Sequence, residues 1–381
     1  MNDNPLTMMG APLPARDPAE PHRASTPLEL FYDLVSVIAI AAAASLLHHG
    51  LMHDHFAQGI MLFLMTFWSI WWAWMNFTWF ASAYDSDDLS YRAAVFIQIV
   101  GALIMAAGIQ GVFTDFDFRI VAIGFVVMRV LLVSLWLRVA KSDLIGRSAA
   151  LRNGIGIVLC QIGWVVLVFV LPKSLLIIGF FIMATAEHTV PVLAQRVAAM
   201  TWHRGHIIER YGLLTLIVLG ESMLAAHAAI VALIAQFNIA LLTSLVGGLL
   251  TLFAMWWLYF DEAEHNMLNT PTGAFLWGYG HFAIFASAAA VGAGLSVVTD
   301  QLQHNAEIGT LAANTCVAIP VATYLLALWF VHELPAKLTG CRLVQFPIAA
   351  LLISATPFWS HGVLLTGMIL AVLLILRLRS N

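Results

Sequence analysis

The chain has 381 residues, of which 61% are hydrophobic and only 10% charged, with a mean hydropathy of +0.89. A soluble globule needs roughly a quarter charged residues to cover its surface, so this composition excludes one and predicts an all-α, polytopic integral membrane protein partnered by the lipid bilayer. The formal net charge of −4 says little, because in a membrane protein the placement of Lys and Arg carries the information. No basic run interrupts the apolar ones, which argues against nucleic acid as a partner. Cys160, Cys316 and Cys341 offer neither a disulfide framework nor a metal-ligand spacing.

Residues 1–27 hold six of the thirteen prolines and no apolar stretch of signal-peptide length, which predicts a disordered cytoplasmic tail. Thr26-Pro27 followed by Glu29 reads as a helix start, with the carboxylate in the first turn. Twelve apolar runs follow, at 28–48, 57–81, 91–113, 118–140, 151–171, 174–194, 207–236, 238–260, 272–299, 307–332, 343–357 and 359–377. Each is matched against the roughly 20 apolar residues a spanning helix needs, and the eleventh is short. Pro357, between the last two, predicts a tight connection or a broken helix.

The distribution of positive charge tests this count. With the N-terminus inside, fourteen of the seventeen basic residues fall in cytoplasmic segments; Arg119 and Lys173 fall outside and Arg129 lies within a span. That bias predicts about twelve transmembrane helices with both termini cytoplasmic, in the inner (plasma) membrane.

The stretch Glu29-Leu-Phe-Tyr-Asp33-Leu-Val returns 180 residues later as Glu209-Arg210-Tyr-Gly-Leu, running to Glu221. Trp71-Trp72 is matched by Trp256-Trp257, and each pair is followed by an acidic patch, Asp85-Ser-Asp87-Asp88 and Asp261-Glu262-Ala-Glu264-His265. The echo predicts two six-helix repeats, 28–194 and 207–381, joined by a cytoplasmic connector at 195–206. Six is even, so the repeats run parallel rather than inverted.

Leu28-Glu-Leu-Phe-Tyr-Asp-Leu-Val, the Trp-rich run ending in Tyr84-Asp-Ser-Asp-Asp, and Glu209-Arg-Tyr-Gly-Leu followed by Leu219-Gly-Glu-Ser resemble the bacterial low temperature requirement A (LtrA) family over nearly the whole chain beyond the tail. The resemblance implies an integral membrane protein and no particular molecular activity. Over a few residues, Phe31-Tyr-Asp33 on the first helix is also similar to the Phe-Ser-Asp signature of endolysosomal potassium and proton channels.

A charge at the centre of a spanning helix costs about 2.5–3.5 kcal/mol on insertion scales, so intramembrane ionisable residues face a cavity or a partner. In the predicted spans these are Asp33, Arg129, Glu187, His188, Glu221 and His281, which mark a proton or ion site. Asn76, Arg92, Glu209, Arg210, Asp261 and Glu264 gather at the cytoplasmic ends and predict a polar vestibule there. Plainer roles stand beside these. Arg129 is placed to neutralise Glu187 or Glu221, His188 to bond a carbonyl freed by Pro191, and His281, among small residues, to donate a hydrogen bond across helices.

Two chemistries compete. The first is a proton- or cation-coupled transporter or channel acting on a small ion, with Glu221 central, Arg129 biasing it, and Asp33 and His281 lining the inner mouth. The second reads Asp85-Ser-Asp87-Asp88 as the Asp-x-Asp-Asp pattern of class II terpene cyclases, with Asp87 as the acid and Trp68, Trp71, Trp72, Trp74 and Trp79 stabilising a carbocation of a lipid-like polyprenyl substrate. No cofactor is required by either, although Asp85 and Asp88 are oxygen ligands suited to Mg²⁺. A third reading is a non-transporting membrane sensor or accessory protein.

Overall fold

The computed structural model describes residues 12–21, 23–198, 201–261, 266–335 and 341–380. Among these residues the regular structure is entirely helical. The helices are α1 (Pro27–Met52), α2 (Phe56–Ala83), α3 (Leu89–Asp115), α4 (Arg119–Ser142), α5 (Arg147–Phe169), α6 (Leu176–Gln195), α7 (Arg204–Ala235), α8 (Ile239–Phe260), α9 (Pro271–Leu302), α10 (Thr310–Leu328), α11 (Cys341–Ala355) and α12 (Gly362–Ser380). Among the described residues eleven spans are long and apolar enough to cross a membrane, so this is a multi-pass membrane protein. The short eleventh run is helix α11, 15 residues long, or about 22 Å. It ends in a 3₁₀ turn over Thr356–Phe358, so Pro357 marks a tight connection. Glu264 lies outside the described residues.

The chain forms two compact units, Met1–Ala42 with Met65–Tyr211, and Ala43–Leu64 with Gly212–Asn381. The boundary near 211 lies close to the join expected between repeats, but 43–64, which belongs to the first repeat in sequence, groups with the second unit.

Local chemistry explains the ends of several helices. Thr26 and Glu29 form a reciprocal capping box: the Thr26 N–H donates to Glu29 Oε2 at 2.8 Å, and the Glu29 N–H donates to Thr26 Oγ1 at 3.3 Å. Asp88 caps α3 through the Tyr91 N–H, Asn238 caps α8, and Thr270 caps α9 with Pro271 at its first position. α10 continues into a π turn over Trp329–Glu333.

Within each unit, small residues let backbones meet. A Cβ added at Gly124 would lie 2.5 Å from the Gly101 carbonyl oxygen of α3, and one at Gly247 of α8 would lie 2.5 Å from Leu364 Cα of α12.

The expectation of a disordered tail through residue 27 meets a different arrangement in 12–21 and 23–26. Leu13 is fully buried and its N–H donates to Ser142 Oγ at 2.9 Å; the Arg16 N–H donates to the Ala83 carbonyl at 3.0 Å. Arg23 donates to the carbonyls of Ala81 and Ser82 at 2.6 and 2.5 Å. Those carbonyls close the last turn of α2, where a helix leaves acceptors without intrahelical donors, and this is what holds a proline-rich, charged segment in place.

Candidate functional site: a ladder of buried ion pairs

The first unit is organised around two side-chain pairs at i, i+4 spacing. Glu29 and Asp33 share one face of α1, and His206 and Arg210 share one face of α7. Arg210 grips Asp33 in a two-pronged fork, Nε to Oδ2 at 2.7 Å and Nη2 to Oδ1 at 2.6 Å. Its remaining nitrogen, Nη1, lies 3.1 Å from Glu29 Oε1, which His206 Nε2 also approaches at 3.1 Å. Trp74 of α2 adds an indole N–H to Asp33 Oδ1 at 2.6 Å.

From this centre a ladder leads toward solvent. Arg23 Nη2 lies 3.7 Å from Glu29 Oε1 and 3.6 Å from Asp85 Oδ2, and Arg16 Nη1 lies 3.1 Å from the same Asp85 oxygen. Exposure falls along it from 32% at Arg16 through 11% at Asp85 and 3% at Arg23 to 1% at Glu29 and 0% at Arg210. Burial, helped by the charge of Glu29, pushes the Asp85 carboxyl above the ordinary aspartate range, against the pull of Arg23 and Arg16.

A second centre lies among α2, α4, α5 and α6 of the same unit. Arg129 Nη2 donates to Glu187 Oε2 at 2.5 Å, Trp72 Nε1 donates to that oxygen at 3.0 Å, and Gln161 Nε2 donates to Oε1 at 3.1 Å. Of the two partners expected for Arg129, Glu187 is the one it holds. The tryptophan run therefore supplies hydrogen-bond donors: Trp74 serves Asp33, Trp72 serves Glu187, and Trp79 donates to the Tyr211 hydroxyl at 2.9 Å. His188 is half-buried with its ring centroid 4.2 Å from that of Trp72, and its Nδ1 donates to the Ala184 carbonyl at 2.7 Å. The carbonyl it engages is one turn back, not the Glu187 carbonyl that Pro191 frees.

The acidic patch does not act as one group, because each carboxylate has its own guanidinium. Asp85 takes Arg16 and Arg23. Asp87, 84% exposed, takes Arg92 at 2.6 Å. Asp88 takes Arg138 of α4, not the Arg92 that helical spacing suggests. An exposed, paired Asp87 lacks the desolvated pocket that a carbon-protonating acid needs. Asp85 and Asp88 have their oxygens committed to cations of the chain itself, and no group of three His, Cys, Asp or Glu among the described residues is arranged to hold a metal. Asn76 donates to the Trp72 carbonyl at 2.8 Å, and Glu209 accepts from the Ser25 N–H at 3.3 Å.

The second unit has its own buried guanidinium. Arg377 of α12 pairs with Glu333 in the π turn at 2.7 Å, lies 3.9 Å from Asp261 Oδ2, and covers the Phe346 ring at 4.6 Å. His281 of α9 bonds across helices, but as an acceptor and not the expected donor: its Nδ1 donates to the Trp277 carbonyl of its own helix at 2.8 Å, so Nε2 accepts from the Tyr259 hydroxyl of α8 at 3.2 Å. Glu221 sits half-buried within α7 and has no hydrogen-bond or ion-pair partner among the described residues.

The family model described as "Bacterial low temperature requirement A protein (LtrA)" matches residues 24–378. The chain belongs to the LtrA family. It is also similar to a protein of Rhizobium meliloti (strain 1021) named "Uncharacterized protein RA0937", 25% identical over 315 residues that cover 76% of this chain and 72% of that one. No solved structure matches. In this LtrA-family chain the Leu28–Val35 signature supplies the two innermost carboxylates of the ladder, and Glu209-Arg210-Tyr211 supplies the guanidinium between them.

Several members of the LtrA chain's ion pairs escaped the sequence reading. Arg23 lies in the expected tail, Arg138 and Arg377 lie in the last residues of the spans 118–140 and 359–377, and Glu333 falls one residue beyond the span 307–332. For His206 a signal was present, since His206 and Arg210 repeat the i, i+4 spacing of Glu29 and Asp33.

Asp88 provides a test outside the spans. Burial works against its ionised form, but bonds from Arg138, Ser86, Ser90 and the Tyr91 N–H hold its carboxyl well below the usual range. A depressed pKa contributes stability above the unfolded value of about 3.9 and loses it as pH falls through the folded value. Asp88→Asn keeps the cap and loses the charge, so it is expected to be less stable than the parent at pH 7 and to lose less between pH 4 and the acid limit. Thermal melts across that range check it, and parallel curves would show that Asp88 is hydrated.

Proposed function

We propose that this LtrA-family protein moves protons or a small cation across the inner membrane, and that the Asp85–Glu29–Asp33 ladder is its cytoplasmic port. The supporting observation is the graded burial of linked ionisable groups, from a third-exposed Arg16 to a fully buried Arg210. A scaffold needs one neutralised pair, not a file of them; successive carboxylates and an imidazole sharing guanidiniums let a proton pass by small rearrangements in a medium where isolated charge is costly. The positive-inside rule puts the Arg16 end in the cytoplasm. Glu221, a half-buried carboxylate in a spanning helix of the second unit, is the cation site of this reading.

Vesicles containing the purified protein and a trapped pH dye are expected to equilibrate an imposed proton or potassium gradient faster than empty vesicles. Glu29→Gln preserves the capping box, which accepts Gln, and is expected to slow proton flux by about 100-fold, the scale of a lost proton-transfer group. Asp87→Asn is expected to change nothing. Equal rates in protein-containing and empty vesicles under both gradients would sink the proposal.

A further inference from the structure

The second unit contains an apolar cavity of about 640 Å³ between the outer half of the α1–α2 hairpin and helices α9 and α10. We infer that it holds one acyl chain of a membrane phospholipid. This rests on the bilayer setting alone and stands or falls apart from any flux.

The wall chemistry selects hydrocarbon. Three hydroxyls line the cavity, and each is spent on its own helix: Ser287 bonds the Ala283 carbonyl at 2.5 Å, Thr315 the Leu311 carbonyl at 2.7 Å, and Thr323 the Ile319 carbonyl at 2.9 Å. A sugar, amino acid, nucleotide or hydrated ion would lose its own hydrogen bonds on entering, whereas an alkyl chain loses none. The inner surface is made of Ala283, Ala286, Ala290 and Ala312, small side chains that leave the volume open. The lip carries Ile60 and Leu64 of α2 and Ile319 of α10, each more than 40% exposed on membrane-spanning helices, so the opening is lateral, toward lipid.

Length and polarity give the orientation. Along α10 the lining runs from Leu311 to Thr323, twelve residues or about 18 Å, close to the roughly 15 Å of one leaflet's hydrocarbon. One end lies at Leu51, Phe56 and Leu311, beside the helix termini, where His48 pairs with Asp300 at 2.7 Å and His53 lies 3.4 Å from Glu307. These imidazole–carboxylate pairs offer a donor and an acceptor to the phosphate and ammonium of a zwitterionic headgroup, while the tail points toward Thr323.

The test is native mass spectrometry of the purified protein, stripped with detergent and then titrated with phosphatidylethanolamine. The parent is expected to keep one phospholipid per chain under washing that removes the rest. Ala312→Phe, which fills the cavity, is expected to weaken that retention by at least about tenfold, or 1.4 kcal/mol, while the protein still elutes folded. If that variant does not fold, Ala290→Leu, a smaller intrusion, carries the same expectation. Loss of every lipid from the parent at one common rate would overturn the inference. So would unchanged retention in a folded, filled variant, or recovery of an isoprenoid or free fatty acid in place of a phospholipid.

Discussion

Arg210→Met is expected to destabilise the protein by about 3–5 kcal/mol, because it leaves two carboxylates in a fully buried site with their shared cation gone. Glu29 and Asp33 are 1% exposed or less, and Arg210 supplies both prongs of the fork on Asp33 and the nearest guanidinium nitrogen to Glu29. Trp74 and His206 do not replace it, since an indole N–H carries no charge and the imidazole reaches only Glu29. Arg210→Lys keeps a charge but loses the planar fork, so an intermediate loss is expected. The measurement is the fraction of protein that stays monodisperse after graded heating in detergent. An unchanged midpoint for Arg210→Met would mean that water reaches both carboxylates, and the ladder would then be a hydrated surface rather than a buried file.

The class of fold was legible because lipid imposes a uniform demand: about 20 apolar residues per crossing and positive charge held to one side. The site was legible in part, for a related reason. Asp33, Arg129, Glu187 and His281 stand out because a charge or imidazole in an apolar run is conspicuous, and all four hold a partner from another helix of their unit. Arg129 was found but its choice between Glu187 and Glu221 was not, because periodicity says which face a residue occupies and nothing about which helix lies opposite. The Asp85–Asp88 patch misled for the opposite reason. Adjacent carboxylates look like one chemical group, yet the chain turns there, and the three side chains diverge to Arg16 and Arg23, Arg92, and Arg138. The tryptophans invited a carbocation, whereas two of them spend their single N–H on buried acids.

The Arg129–Glu187 pair separates scaffold from pathway. Arg129→Met strands Glu187 with two neutral donors, Trp72 and Gln161, and Glu187→Gln strands a guanidinium that is almost wholly buried; each is expected to cost about 3–5 kcal/mol. The double variant removes both charges while the Gln carbonyl still accepts from Trp72, so it is expected to be more stable than either single variant, with a coupling of at least about 2 kcal/mol in the double-mutant cycle. Additive losses would show that the two groups are solvated independently. The recovered double variant then becomes the decisive sample for flux. Among the described residues this centre has no ion-pair link to the ladder in its own unit, so a protein that moves protons through Asp85, Glu29 and Asp33 is expected to retain its flux when Arg129 and Glu187 are neutralised together. Loss of flux from that folded protein would move the pathway into the α2–α4–α5–α6 cluster, and the ladder would become the scaffold.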